Sequence, residues 1–172
     1  MPSRPSASAS PLSVEEDELI VSRKFNAPRE LVWKAWTDPK HAIHWWGPPF
    51  CPAVEMNMDV RVGGKWRNCL KSGEDGTLLW QHGEFREISP PSRLVFTFTW
   101  DNNPYLEFPN VPMLVELTFE EKDGGTLLTL RQTGFHSIAD RDGHGMGWNG
   151  TFDRFENYAL QNASGAKSER PQ

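Results

Sequence analysis

Apolar positions along this chain switch between a period of two and a helical spacing, and each switch marks an element. Leu19, Val21, Arg23 and Phe25 alternate with Ile20, Ser22 and Lys24, which predicts a first strand with mixed faces ending at Asn26-Ala27-Pro28. Pro28 suits a helix start, where its missing N–H would be unpaired in any case. Val32 and Trp36 then fall four residues apart, with Leu31 and Ala35 beside them. Asp38-Pro39 repeats the start signal for a second short helix through Trp45, and Gly47-Pro48-Pro49 stops it. From Phe50 the period becomes two: Val54, Met56 and Met58 oppose Glu55, Asn57 and Asp59. After the Gly63-Gly64 turn, Trp66, Asn68 and Leu70 oppose Lys65, Arg67 and Cys69.

A second turn over 72–76 leads to a strand over 78–88 with two readings. Either Trp80, His82 and Glu84 point inward, or Leu79, Gly83 and Phe85 do. Beyond the turn at 89–92, Leu94, Phe96, Phe98 and Trp100 alternate with Val95, Thr97 and Thr99. A loop over 101–112 follows, then Val115, Leu117 and Phe119, then a hairpin signal at Asp123-Gly124-Gly125 with Leu128, Leu130 and Gln132 inward on the return. Trp148, Phe152, Phe155 and Ala159 form one helical stripe. Gly143, Gly145 and Gly147 are poor helix formers and predict a flexible entry to that helix. The predicted fold class is α+β: a curved antiparallel sheet of six to seven strands wrapped around a long C-terminal helix, with two short helices after the first strand.

At 172 residues, one domain is the natural reading. Its expected limits are 18–162, between a Ser/Pro/Ala-rich disordered tail over 1–17 and a flexible polar tail over 163–172. Eight Trp and ten Phe are many for this length, and they must line a core, a pocket or an interface. A net charge of −5 without a dense Lys/Arg run argues against nucleic acid. No apolar run is long enough to span a membrane, and the N-terminus lacks the apolar core of a signal peptide. Cys51 and Cys69 alone make no disulfide framework and fit a reducing compartment, so a cytoplasmic location is expected.

The order of elements and several motifs together resemble the START-like, or helix-grip, superfamily, and within it the Aha-type branch. That branch is related to the C-terminal domain of the ATPase activator of the ninety-kilodalton heat-shock protein. The resemblance rests on R-K-F-N-A-P-R-E-L-V-W-K-A-W-T-D-P over 23–39, W-W-G-P over 45–48 and D-V-R-V-G-G-K-W-R over 59–67. It continues through G-E-F-R-E-I-S-P-P-S-R-L-V-F-T over 83–97 and G-W-N-G-T-F-D-R-F over 147–155. It implies a cavity between sheet and helix that takes apolar or aromatic small molecules, and it implies no single activity. The 101–112 loop is long and aromatic for this branch, and Tyr105 and Phe108 could extend a pocket rim or meet a partner.

The preferred expectation is a non-catalytic domain holding a hydrophobic or aromatic small molecule, with no cofactor and no metal. Its expected ligand-binding residues are Trp66, Asn68, Trp80, His82, Phe96, Phe98, Trp100, Phe119, Gln132, Trp148 and Phe152. Asn68 and Gln132 stand out because a buried amide needs partners, from ligand, water or backbone. Two alternatives stay open. One is a co-chaperone-like interaction module in the stress response, with a chaperone partner or self-association. The other is a cyclase, hydrolase or lyase using His82 and Glu84 as an acid/base pair. His41 and His44, three apart, lack matching metal ligands and read as a solvated helix face. His136 and His144 flank the loop before the last helix and could gate a pocket mouth. Neither a nucleophile motif nor a phosphate loop is present.

Overall fold

A computed structural model of the chain describes residues 12–13 and 16–168. Of the expected tails over 1–17 and 163–172, residues 1–11, 14–15 and 169–172 lie outside the described residues, whereas 163–168 belong to the last helix. The order is β1 (Glu18–Phe25), α1 (Arg29–Thr37), α2 (Pro39–Ala42), β2 (Ala53–Met58), β3 (Lys65–Lys71), β4 (Leu78–Ser89), β5 (Arg93–Asp101), β6 (Met113–Lys122), β7 (Gly125–Thr133) and α3 (Ile138–Ser168). The seven strands form one antiparallel sheet in the order β1-β7-β6-β5-β4-β3-β2, and α3 lies in its concave face.

Most of the alternation is realised as read. Leu94, Phe96 and Phe98 on β5, Val115, Leu117 and Phe119 on β6, and Leu128, Leu130 and Gln132 on β7 are all buried inward. Asp123 and Gly124 both take positive φ, as a two-residue hairpin turn between right-twisted strands requires. Pro28 caps α1 in an extended conformation rather than entering its first turn. The Asp38 carboxylate accepts the Lys40 amide at 2.9 Å and opens α2, which is shorter than expected. Past Ala42 the backbone tightens into i to i+3 bonds, His44 to His41 and Trp45 to Ala42, so regular helix ends before Trp45. Val54 is exposed because a bulge between Ala53 and Glu55 shifts the β2 parity.

The facing of β4 is decided by Gly83. A Cβ there would lie 1.8 Å from the Thr97 carbonyl oxygen and 2.4 Å from Trp66 Nε1, so only glycine lets that indole donate to Thr97 at 3.1 Å. Leu79, Gln81 and Phe85 share this inward parity and are buried, which sends Trp80, His82 and Glu84 to the outer face.

Helix α3 also differs from expectation. It begins at Ile138, so Gly143, Gly145 and Gly147 lie inside its first turns and are no flexible entry. Ser137 caps it, its hydroxyl accepting the Asp140 amide at 2.9 Å. Tertiary contact overrides the poor propensity of the glycines, as it commonly does.

Two halves of α3 meet different surroundings. Phe152 and Phe155 press against Phe25, Trp36 and Trp45 in a filled aromatic core, with ring centroids 4.4–6.3 Å apart. Arg154 fastens this half by donating to the carbonyls of His44, Trp46 and Gly47 at 2.8–2.9 Å. The earlier half presents Gly143, Gly147 and Thr151 at intervals of four, and the space beside them is unfilled.

Candidate functional site

That unfilled space is a cavity of about 630 Å³ between α3 and the inner faces of β3, β4 and β5, within the range usual for small-molecule sites. Its aromatic walls come from Trp46, Phe98, Trp100 and Trp148, with Leu70 and Leu79 beneath. The W-W-G-P-P-F segment divides its roles: Trp45 belongs to the filled core, whereas Trp46, Gly47, Pro48 and Phe50 border the cavity. At the mouth stand the exposed Phe50, Glu74 and Tyr105.

Each wall indole has its N–H engaged inside the protein. Trp46 donates to Gln81 Oε1 at 3.0 Å, Trp100 to His144 Nε2 at 2.8 Å and Trp148 to Gln132 Oε1 at 2.8 Å. The cavity therefore meets ring faces and edges rather than indole donors. His144 is fixed from both sides, since its Nδ1 lies 2.8 Å from the Asp140 carbonyl and must donate to it. Nε2 is then the acceptor for Trp100, which makes the ring the neutral Nδ1–H tautomer. Burial pushes the His144 pKa down, outweighing the opposing pull of Asp140.

The long loop over 102–112 forms one side of the site and is tied down at two points. The Asp140 carboxylate accepts the Glu107 and Phe108 amides, each at 2.9 Å. Tyr105 donates its hydroxyl to the Asp75 carboxylate at 3.0 Å, joining the loop to the β3–β4 turn. Hydrogen bonds from the Thr77 hydroxyl and amide, with that from Tyr105, hold Asp75 down at about 2. Cys51, in the cavity wall, is a free thiol pushed up to about 11 by burial and by Cys69 nearby.

Of the eleven residues singled out from sequence, Phe98, Trp100 and Trp148 line the cavity. Trp66, Asn68, Phe96, Phe119, Gln132 and Phe152 are buried inward but belong to the packing behind or beside it. Gln132 is satisfied by Trp148 and by Met113 Sδ, needing no ligand. Asn68 Oδ1 accepts the Asn57 amide at 3.4 Å, and its Nδ2 is buried without a partner among the described residues.

Trp80 and His82 are away from the cavity on the outer face, because Gly83 fixes the opposite parity inward. There the Arg67 guanidinium lies 4.3 Å from the Trp80 ring centre, and His82 pairs with Asp101 at 2.6 Å. Glu84 instead meets Lys65 at 3.2 Å, so no His82–Glu84 couple exists. His41 contacts the Tyr158 hydroxyl and His44 stacks on the same ring; the described residues contain no metal-binding cluster. No helix among the described residues is long and apolar enough to cross a membrane.

Several wall residues escaped the sequence reading. Leu79 and Gln81 followed from the β4 parity not chosen for the site. Gly143, Gly147 and Thr151 carried a signal in their spacing of four beside Trp148, a row of small residues on one helix face.

Comparison with known proteins agrees with this architecture. A structure from Chromobacterium violaceum superposes with a TM-score of 0.74 at 21% identity, covering 83% of this chain and 96% of that one. The AHSA1 protein of Silicibacter pomeroyi gives 0.73 at 20%, covering 84% and 99%. A Mycobacterium smegmatis protein gives 0.68 at 27%, covering 86% and 90%. Among curated proteins no sequence match was found. The family profile described as Activator of Hsp90 ATPase homolog 1-like protein matches residues 26–159, nearly the whole folded region, in the segments that carried the resemblance. The chain therefore belongs to the Activator of Hsp90 ATPase homolog 1-like protein family.

Proposed function

We propose that this protein is a non-catalytic binding domain that holds a hydrophobic or aromatic small molecule between β3–β5 and the first half of α3. The observation that carries this reading is a cavity of about 630 Å³ walled by three indoles and Phe98, with every wall indole N–H already engaged. Such a wall offers apolar contact, at about 25 cal/mol per Å² buried, and few groups able to drive bond chemistry. The imidazole in the wall, His144, has both nitrogens occupied, which does not suit a proton-transfer role. The pair that would have served an enzyme, His82 and Glu84, faces away from the cavity. Family membership is compatible with a co-chaperone role, but no specific feature of the site favours that reading over ligand binding.

Native mass spectrometry of the protein purified gently from its own source cells tests the proposal. A small-molecule mass that is lost on denaturation is the expected result. An empty protein that also shows no calorimetric response to aromatic probes, while remaining folded, would refute it.

A further inference from the structure

We infer that the cavity selects aromatic ligands bearing a basic nitrogen and rejects aromatic acids, an inference that rests on the binding reading above. No lysine or arginine is among the described wall residues. The wall imidazole is held neutral by its two hydrogen bonds and presents neither a cation nor a free N–H. The side-chain amide donors left for a ligand are neutral: the Gln81 and Asn103 nitrogens, whose oxygens already accept from the Trp46 indole and the Tyr105 backbone amide, while the Ser72 hydroxyl is engaged by Asp75. Lys71, the basic residue beside the mouth turn, has outward parity on β3. A carboxylate entering this site would lose its hydration and gain no opposite charge, the costly case for a buried ion.

A cation meets the opposite situation. The faces of Trp46, Trp100 and Trp148 carry negative quadrupole potential, and indole is the strongest of the aromatic rings in this respect. At the mouth, Glu74 lines the opening; Asp75, next in the chain and outside the wall itself, is held against the rim by its bond from Tyr105 and is ionised across the physiological range. Ring faces within and carboxylates at the rim together describe a receptor for an aromatic group with an attached ammonium.

Three probes sharing one ring separate the terms: 2-naphthylmethylammonium, 2-naphthylmethanol and 2-naphthoate, titrated calorimetrically into the full chain at pH 7 and low salt. The ammonium is expected to bind at least tenfold more tightly than the carboxylate, with the gap narrowing as salt screens the mouth. Binding of the alcohol with an ammonium-to-carboxylate ratio below tenfold, or reversed, overturns this inference and leaves the binding reading standing. If a folded protein binds none of the three, the binding reading fails and this inference falls with it. In a Glu74→Gln, Asp75→Asn double variant the ratio should drop at least threefold. A ratio unmoved there overturns the role given to the mouth carboxylates.

Discussion

Replacing Gly147 with leucine should stabilise the protein and block its cavity at once, a pairing of opposite effects that few substitutions produce. A Cβ at Gly147 meets no atom within 4 Å, so the new side chain grows into open space instead of against a wall. Leaving glycine inside a helix costs about 1 kcal/mol relative to a good helix former. Each methylene newly buried against the cavity wall adds at most ~0.8 kcal/mol, reduced here because the cavity is open to solvent. The expected gain is about 1–3 kcal/mol, or roughly 3–9 °C in Tm for a domain of this size. An aromatic ligand burying about 150–250 Å² would draw ~4–6 kcal/mol of gross apolar contact from the same space. Displacing it from even a third of that area costs about 2 kcal/mol, some 30-fold in Kd. Thermal unfolding and calorimetric titration of one aromatic probe, run on both proteins, measure the two effects. A lower Tm with unchanged affinity would show that α3 does not face an accessible cavity at this position and would refute the reasoning.

Gly83→Ala should be strongly destabilising, because its Cβ would overlap the Thr97 carbonyl at 1.8 Å and expel the Trp66 N–H from its bond. Overpacking of this kind costs about 3 kcal/mol at its upper range, so a fall in Tm of less than about 5 °C would contradict the β4 facing. Asp140→Ala removes the acceptor of the Glu107 and Phe108 amides, two charge-assisted bonds of about 1.5–3 kcal/mol each. Limited proteolysis should then cut within 102–112 much faster than in the parent, and equal rates would deny the carboxylate its anchoring role. For His144, burial places the folded pKa below the unfolded value, so the unfolded chain binds more protons as pH falls below about 6.5. Stability is fully present above that pH and is lost as pH falls toward the folded value, at no more than ~1.4 kcal/mol per pH unit for one proton. Tm measured from pH 7.5 to 5 should fall less steeply in His144→Gln than in the parent; parallel curves would mean that His144 does not contribute.

Local pattern alone specifies the sheet and the apolar stripe of the helix that crosses it. On β5, β6 and β7, large apolar residues alternate mainly with Thr, Glu and Arg, interrupted on the other parity by Val95, Leu114 and Leu127. This leaves one face that must be buried, and a one-residue slip would expose its members. The Asp123-Gly124-Gly125 turn and the Trp148, Phe152, Phe155, Ala159 stripe are local signals of the same strength. Where both parities of a strand carry large side chains, as on β4, the pattern loses its force. There the choice belongs to a single close approach across the sheet, Gly83 under Thr97 and Trp66, which no local period encodes. The cavity shares that character. An apolar residue inside a packed core and one lining a void give the same sequence signal, so Phe152 and Trp148 read alike although the first touches Phe25 and Trp36 and the second borders open space. The difference arises from what is missing opposite them: the side chains of Gly143 and Gly147, read locally as helix weakness, are absent where β3–β5 and the docked 102–112 loop leave room. Volume is a property of several elements at once, and only the tertiary structure could assign it.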